Sequence, residues 1–169
     1  QNKVSFSASK QPRMGGIVGN IVQNVTIDDC HNDTDGVIEN TAAGSTTTVG
    51  GLVGRWSGQG SAIRNSSNSC TVNAKVSNQS QIVGGIVGSI EAGNATGKQN
   101  ELITCTNSGK IEITHGSTEG KYVRAAGIAG SIGLTSSNTV ASNVKISDCT
   151  NLSSGVVLLE SENAATCHL

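Results

Sequence analysis

Aromatic side chains are almost missing from this 169-residue chain, which holds one Trp, one Tyr and one Phe. An interior organised around rings is therefore excluded, and small and β-branched residues must fill it by stacking on one another. Charge is equally sparse: 14% of residues are Asp, Glu, Lys or Arg, and the formal net charge is −1. That balance supplies neither a basic field to gather phosphates nor a polyanionic tail, so nucleic acid is not an expected partner. No apolar run approaches the roughly 20 residues that span a bilayer. The first residues, Gln1-Asn2-Lys3, do not read as a targeting segment. Where a cytosolic domain would carry Lys and Glu, Asn, Ser and Thr predominate, which points to an extracellular or cell-surface setting. Asn-x-Ser/Thr triplets such as Asn24-Val25-Thr26 arise by chance in such a composition and carry no weight.

Glycine, by contrast, is plentiful at 22 residues, and it is ordered. Gly15-Gly16-Ile17-Val18-Gly19 returns as Gly50-Gly51-Leu52-Val53-Gly54, as Gly84-Gly85-Ile86-Val87-Gly88 and, softened, as Ala126-Gly127-Ile128-Ala129-Gly130. Recurrence at a period of roughly 35 residues marks a repeat architecture, in which each unit buries its apolar face only against its neighbours. Two residues after each pentad comes an apolar slot holding Ile21, Trp56, Ile90 or Ile132. Trp56 therefore reads as a core filler, although Arg55 beside it suggests a sugar-stacking platform.

A second segment has the form Ile/Val-x-x-Cys-x-Asn, as in Ile27 to Asn32, Ile146 to Asn151 and the stretch ending Cys105-Thr106-Asn107. Ser66 replaces the cysteine in unit two. A third segment follows a glycine and is again strand-like: Gly36-Val37-Ile38, Gly109-Lys110-Ile111, Gly155-Val156-Val157, with Val72 to Val76 in unit two. Helical periodicity is absent, and Gly, Val, Ile, Thr and Asn at this density favour strands and turns. The expected fold is all-β: a single domain over residues 1–169, forming a parallel β-helix of about four coils with three short strands per coil. Coils about 4.8 Å apart would stack to roughly 20 Å. A β-sandwich with coincidental glycines is the competing architecture, and the recurrence argues against it. Val4, Phe6 and Ala8 alternate with serines, as in the last strand of a unit whose beginning is not present. The chain is accordingly expected to be an excerpt of a longer exported protein.

The pentads, each followed by the cysteine-asparagine and glycine-led segments, resemble the GLUG-type repeats of bacterial surface proteins and of the non-catalytic region of some secreted IgA-cleaving metallopeptidases. The likeness runs from Gly15 to about Leu159. It implies a parallel β-solenoid on an exported, adhesin-like protein and brings no catalytic residues with it. Unit four departs from the pattern at Ala126 and Ala129, where a looser coil is expected.

Cys30, Cys105 and Cys149 share one slot and are expected to stack as reduced core thiols; Cys70 lies off that ladder, and an odd total of five forbids full pairing. Asn32, Asn68, Asn107 and Asn151 form a second ladder at a corner, suited to satisfying backbone groups coil after coil. Asp28, Asp29, Asp33 and Asp35 are the one acidic cluster, dense enough to consider Ca²⁺ or polysaccharide chemistry. The cluster is confined to unit one, and the glycine-aspartate nonapeptide of Ca²⁺-binding β-rolls is missing, so no metal or cofactor is expected. His31, His115 and His168 have no metal spacing and read as solvated. Residues 93–99 lack the spacing of a phosphate loop. The tract Ser45-Thr46-Thr47-Thr48 reads as a solvated strand entry.

Connections lengthen along the chain, through 57–61 and 91–101 to 133–142, and a second set of corners occupies 41–48, 77–81 and 115–121. Such unequal loops are where solenoids place binding surfaces. Tyr122, between Lys121 and Arg124, is the best contact candidate, with Arg55 as a further one. The functional expectation is a non-enzymatic, secreted or cell-surface solenoid presenting a loop face to a glycan or host protein. The alternative is a lyase- or hydrolase-like β-helix fragment using the Asp28 to Asp35 carboxylates.

Overall fold

A computed structural model of the chain describes residues 3–6, 12–41, 46–75, 79–91, 98–116, 121–133, 143–161 and 166–168. Among these residues there is no helix, and the strands pair in parallel in five separate sheets. The first sheet stacks Arg13–Gly15, Thr47–Gly50, Gln81–Gly84, Tyr122–Ala126 and Thr166–His168. The second stacks Val18–Ile21, Val53–Trp56, Val87–Ile90 and Ala129–Ile132; the third Thr26–Asp28, Ala62–Arg64, Asn100–Ile103 and Val144–Ser147. The fourth holds the dipeptides His31–Asn32, Ser67–Asn68, Thr106–Asn107 and Thr150–Asn151. The fifth holds Lys3–Phe6, Val37–Asn40, Thr71–Lys75, Ile111–His115 and Val157–Ser161. Each circuit through the five sheets is one coil of a parallel β-helix, and there are about four.

The repeat unit thus has three sequence segments but five strands, not three. The first segment is split by its glycine pair, which turns the chain from the first sheet to the second. The second segment is split by one residue held at positive φ: Asp29 at 52°, Asn65 at 49°, Thr104 at 53° and Asp148 at 55°. For the β-branched Thr104 this is an unfavourable conformation. Stacking enforces it, since Asp29 N–H donates to Arg64 O, Asn65 N–H to Ile103 O and Thr104 N–H to Ser147 O, each in the next coil. A corner set by inter-coil bonds leaves little mark on residue choice, which is why the sequence reads as one continuous segment.

The interior has two apolar compartments. One packs Met14, Val49, Val83 and Val123 of the first sheet against Ile38, Val72, Ile111 and Ile113 of the fifth. The other packs Leu52, Trp56, Ile86 and Ile90 against Ile63, Leu102 and Cys105. Trp56 is fully buried, in register with Ile21 and Ile90. The fourth sheet's asparagine ladder meets the second glycine of each pair. A Cβ on Gly85 would lie 2.1 Å from Gly127 O and 2.4 Å from Asn107 Cγ, so only glycine lets backbone and asparagine meet there. The third glycine of the pentad serves another close approach, with a Cβ on Gly88 only 2.8 Å from Val49 N and O. Ala126, in the first-glycine position of unit four, leaves the inter-coil bond intact: Gly85 N–H to Ala126 O is 3.1 Å, the same as Gly51 N–H to Gly84 O. The expected loosening at that position is not seen.

The asparagine ladder runs unbroken. Asn68 Nδ2 donates to Asn107 Oδ1 at 3.0 Å and Asn107 Nδ2 to Asn151 Oδ1 at 2.8 Å. The same amides donate to the carbonyls of Cys70 and Gly109, closing the turn into the fifth sheet. Cys70 stands in register with Gly36 and Gly109, in the glycine position that opens the third segment. Cys30, Cys70, Cys105 and Cys149 are free thiols.

Two readings of solvated residues are corrected. Thr47 and Thr48 are both buried, Thr47 sharing the inward face of its strand with Val49. His115 is also fully buried: it falls at an inward position of the fifth sheet, where Gln81 Nε2 approaches its Nδ1 at 3.4 Å. Residues 42–45, 76–78, 92–97, 117–120 and 134–142 include most of the long corners and lie outside the described residues, as does the interior of the 93–99 glycine-rich loop.

Candidate functional site

The charged side chains divide unevenly among the sheets. On the third sheet Arg64 pairs with Glu101 of the next coil, and this bond holds the Glu101 carboxyl below the usual carboxylate range while raising the Arg64 guanidinium. On the fifth sheet Lys75 lies 3.8 Å from Glu39, and Lys110 lies 2.5 Å from Glu112. On the second sheet Arg55 pairs with Glu91, with both side chains about three-quarters buried. Each of these cations has a carboxylate partner.

The first sheet differs. Its five strands read Arg-Met-Gly, Thr-Thr-Val-Gly, Gln-Ile-Val-Gly, Tyr-Val-Arg-Ala-Ala and Thr-Cys-His, with no acidic residue in any of them. Strand alternation buries Val123 and Ala125 and leaves Tyr122 and Arg124 partly exposed on the other face. There the Arg124 guanidinium lies over the Tyr122 ring, 4.4 Å from its centroid. Cation–π contact of this kind fixes a long side chain without neutralising its charge. Tyr122 is fixed in turn by the sheet, its N–H reaching Ser80 Oγ at 3.3 Å. Lys121 precedes the strand and is also partly exposed. In register below Arg124 come Ile82, Thr48 and Arg13, the middle two buried and Arg13 exposed.

Of the four contact candidates read from sequence, Tyr122 and Arg124 touch on one strand face, Lys121 immediately precedes that strand, and Arg55 lies apart. Arg55 lies two coils away on a different sheet, engaged by Glu91. Sequence reasoning found the tyrosine and its flanking cations but missed the ion pairs elsewhere. Arg64–Glu101 and Arg55–Glu91 join residues close only through stacking, and aligning the units for charge would have revealed them.

The acidic cluster does not converge. Asp28 Oδ1 accepts from Asn65 Nδ2 at 2.9 Å, and Asp29 Oδ1 accepts from His31 Nε2 at 2.9 Å, while Asp33 and Asp35 are exposed at the following turn. Among the described residues no three of His, Cys, Asp and Glu are grouped to hold a metal ion. A shallow cleft of about 220 Å³ lies at the outer edge of the fifth sheet between Lys75, Glu112, Thr114, Leu158 and Glu160. Two of its charged groups, Lys75 and Glu112, are already ion-paired. No helix among the described residues is long and apolar enough to cross a membrane. Comparison with protein-family profiles, with curated proteins and with solved structures gives no match to this chain.

Proposed function

We propose that this chain is a non-enzymatic β-solenoid of a secreted or cell-surface protein, presenting the outer face of its first sheet at Tyr122 and Arg124, with Lys121 just before them, to a glycan. The observation that carries this reading is the Arg124 guanidinium held over the Tyr122 ring on a partly exposed strand face, an aromatic surface and a cation fixed together before any ligand arrives. The resemblance to GLUG-type repeats and the Asn, Ser and Thr-rich composition support the exported setting. The carbohydrate-active alternative would require carboxylates converging across adjacent coils, whereas Asp28 and Asp29 are bonded to Asn65 and His31. A glycan array run beside a polysaccharide-cleavage screen tests the proposal. The expected result is retention of a subset of glycans that Tyr122→Ala abolishes, with no new reducing ends. Cleavage products, or retention unaffected by Tyr122→Ala, would overturn it.

A further inference from the structure

We infer that the saccharide recognised at this face is acidic, bearing carboxylate or sulfate groups; the inference rests on the glycan-binding reading above. On and beside the second, third and fifth sheets Arg55, Arg64, Lys75 and Lys110 each have a carboxylate within ion-pair reach, and Lys145 of the third sheet stands in register with Glu101 and acts on its charge. The strands of the first sheet contain no carboxylate, and among the described residues neither Arg124, on the outer face, nor Lys121, just before that strand, has an ion pair. Arg124 is positioned by a ring and keeps its full charge and most of its N–H donors for a ligand. A planar guanidinium of this kind matches carboxylate and sulfate oxygens in a bidentate fashion, and Lys121, partly exposed just before the strand, is the nearest further cation in the chain.

The scale of the site separates saccharide from other anions. Nucleic acid is held by many phosphate contacts, and a net charge of −1 supplies no such field. An acidic protein would need an interface of roughly 800 Å² per partner with apolar anchors. Among the described residues the exposed large hydrophobics Ile17, Val22, Ile132, Ile146, Leu152, Val156 and Leu158 all lie outside the strands of the first sheet. What remains is one ring carrying the Arg124 guanidinium, with Lys121 next to it in the chain, a feature on the scale of one or two charged sugar units.

The test uses matched pairs: polygalacturonate against its methyl-esterified form, and heparin against desulfated heparin, with poly-glutamate as a non-saccharide polyanion. At least one acidic member is expected to bind about tenfold tighter than its neutral counterpart, and added salt is expected to erase that difference. Arg124→Gln is expected to abolish the preference with an unchanged melting temperature, whereas Lys110→Gln, on the fifth sheet, leaves it intact. Equal binding within both pairs would overturn the inference while leaving glycan binding standing. Poly-glutamate binding as tightly as the acidic saccharides would overturn it in favour of an acidic protein partner. Failure of every saccharide, here and on the array, would overturn both readings.

Discussion

Coils three and four carry the same motif slots in very different surroundings. Ile90 and Ile132 are paired in register on the second sheet, yet Ile90 is fully buried and Ile132 is 47% exposed. Leu102 and Ile146 repeat the contrast on the third sheet at 0% and 39%. Asn107 is buried between two asparagines, while Asn151 meets one and is exposed on its other side. A solenoid residue is therefore made a core residue by its neighbouring coils, not by its own unit. Among the described residues, coil four has a neighbour on one side only in the second, third and fourth sheets.

Paired substitutions turn that contrast into measurements. Ile90→Ala is expected to destabilise by about 2 to 5 kcal/mol, as for a fully buried aliphatic side chain, and Ile132→Ala by less than about 1 kcal/mol. Denaturant melts of the two variants, equal within error, would break the comparison. Asn107→Ala is expected to cost about 1 to 3 kcal/mol, because it leaves Asn68 and Gly109 short of partners in a buried site. Asn151→Ala, at the exposed end of the ladder, is expected to cost under about 1 kcal/mol. An unchanged melting temperature for Asn107→Ala would remove the ladder from the account of stability.

The smallest expected effects are in pH dependence. Burial pushes the Cys105 thiol from 9.0 up to about 11. The folded state thus holds this proton more tightly than the unfolded chain, and its contribution is present below pH 9.0 and lost as pH rises towards about 11. Relative to Cys105→Ser, the unmodified protein should lose stability across that window, and parallel profiles would contradict it. His115 has the opposite sign: burial lowers its pKa below 6.5, so the unfolded chain takes up the proton first and stability falls as pH drops through 6.5. His115→Gln should flatten this acid limb of a Tm-against-pH profile.

Much of the fold was legible because a repeat writes the same physical demand several times. The apolar slot shared by Ile21, Trp56, Ile90 and Ile132 identified Trp56 as core despite the Arg beside it, and the asparagine register predicted a ladder the structure contains. Less legible were features that depend on contacts between coils. The strand Thr166–His168 shows no pattern of its own and is defined by pairing with Tyr122–Arg124. The burial of His115 depends on the inward face of its strand at a corner, where a lone histidine in a polar sequence gives no signal. At the candidate site, Lys121, Tyr122 and Arg124 were visible as neighbours in the chain. That neither cation pairs with a carboxylate among the described residues was not, because ion pairs such as Arg64–Glu101 bridge successive coils.

The sequence by itself determined the repeat, the stacking of like residues and the absence of an aromatic core, since glycine, aliphatic and asparagine positions recur in phase. Only the tertiary structure decided that three segments become five strands, which copy of each slot is buried and which charges remain unpaired. The physical reason is the same in each case: in a parallel stack, hydrogen bonds, burial and ion pairs form between coils, and a single unit carries half of every such contact.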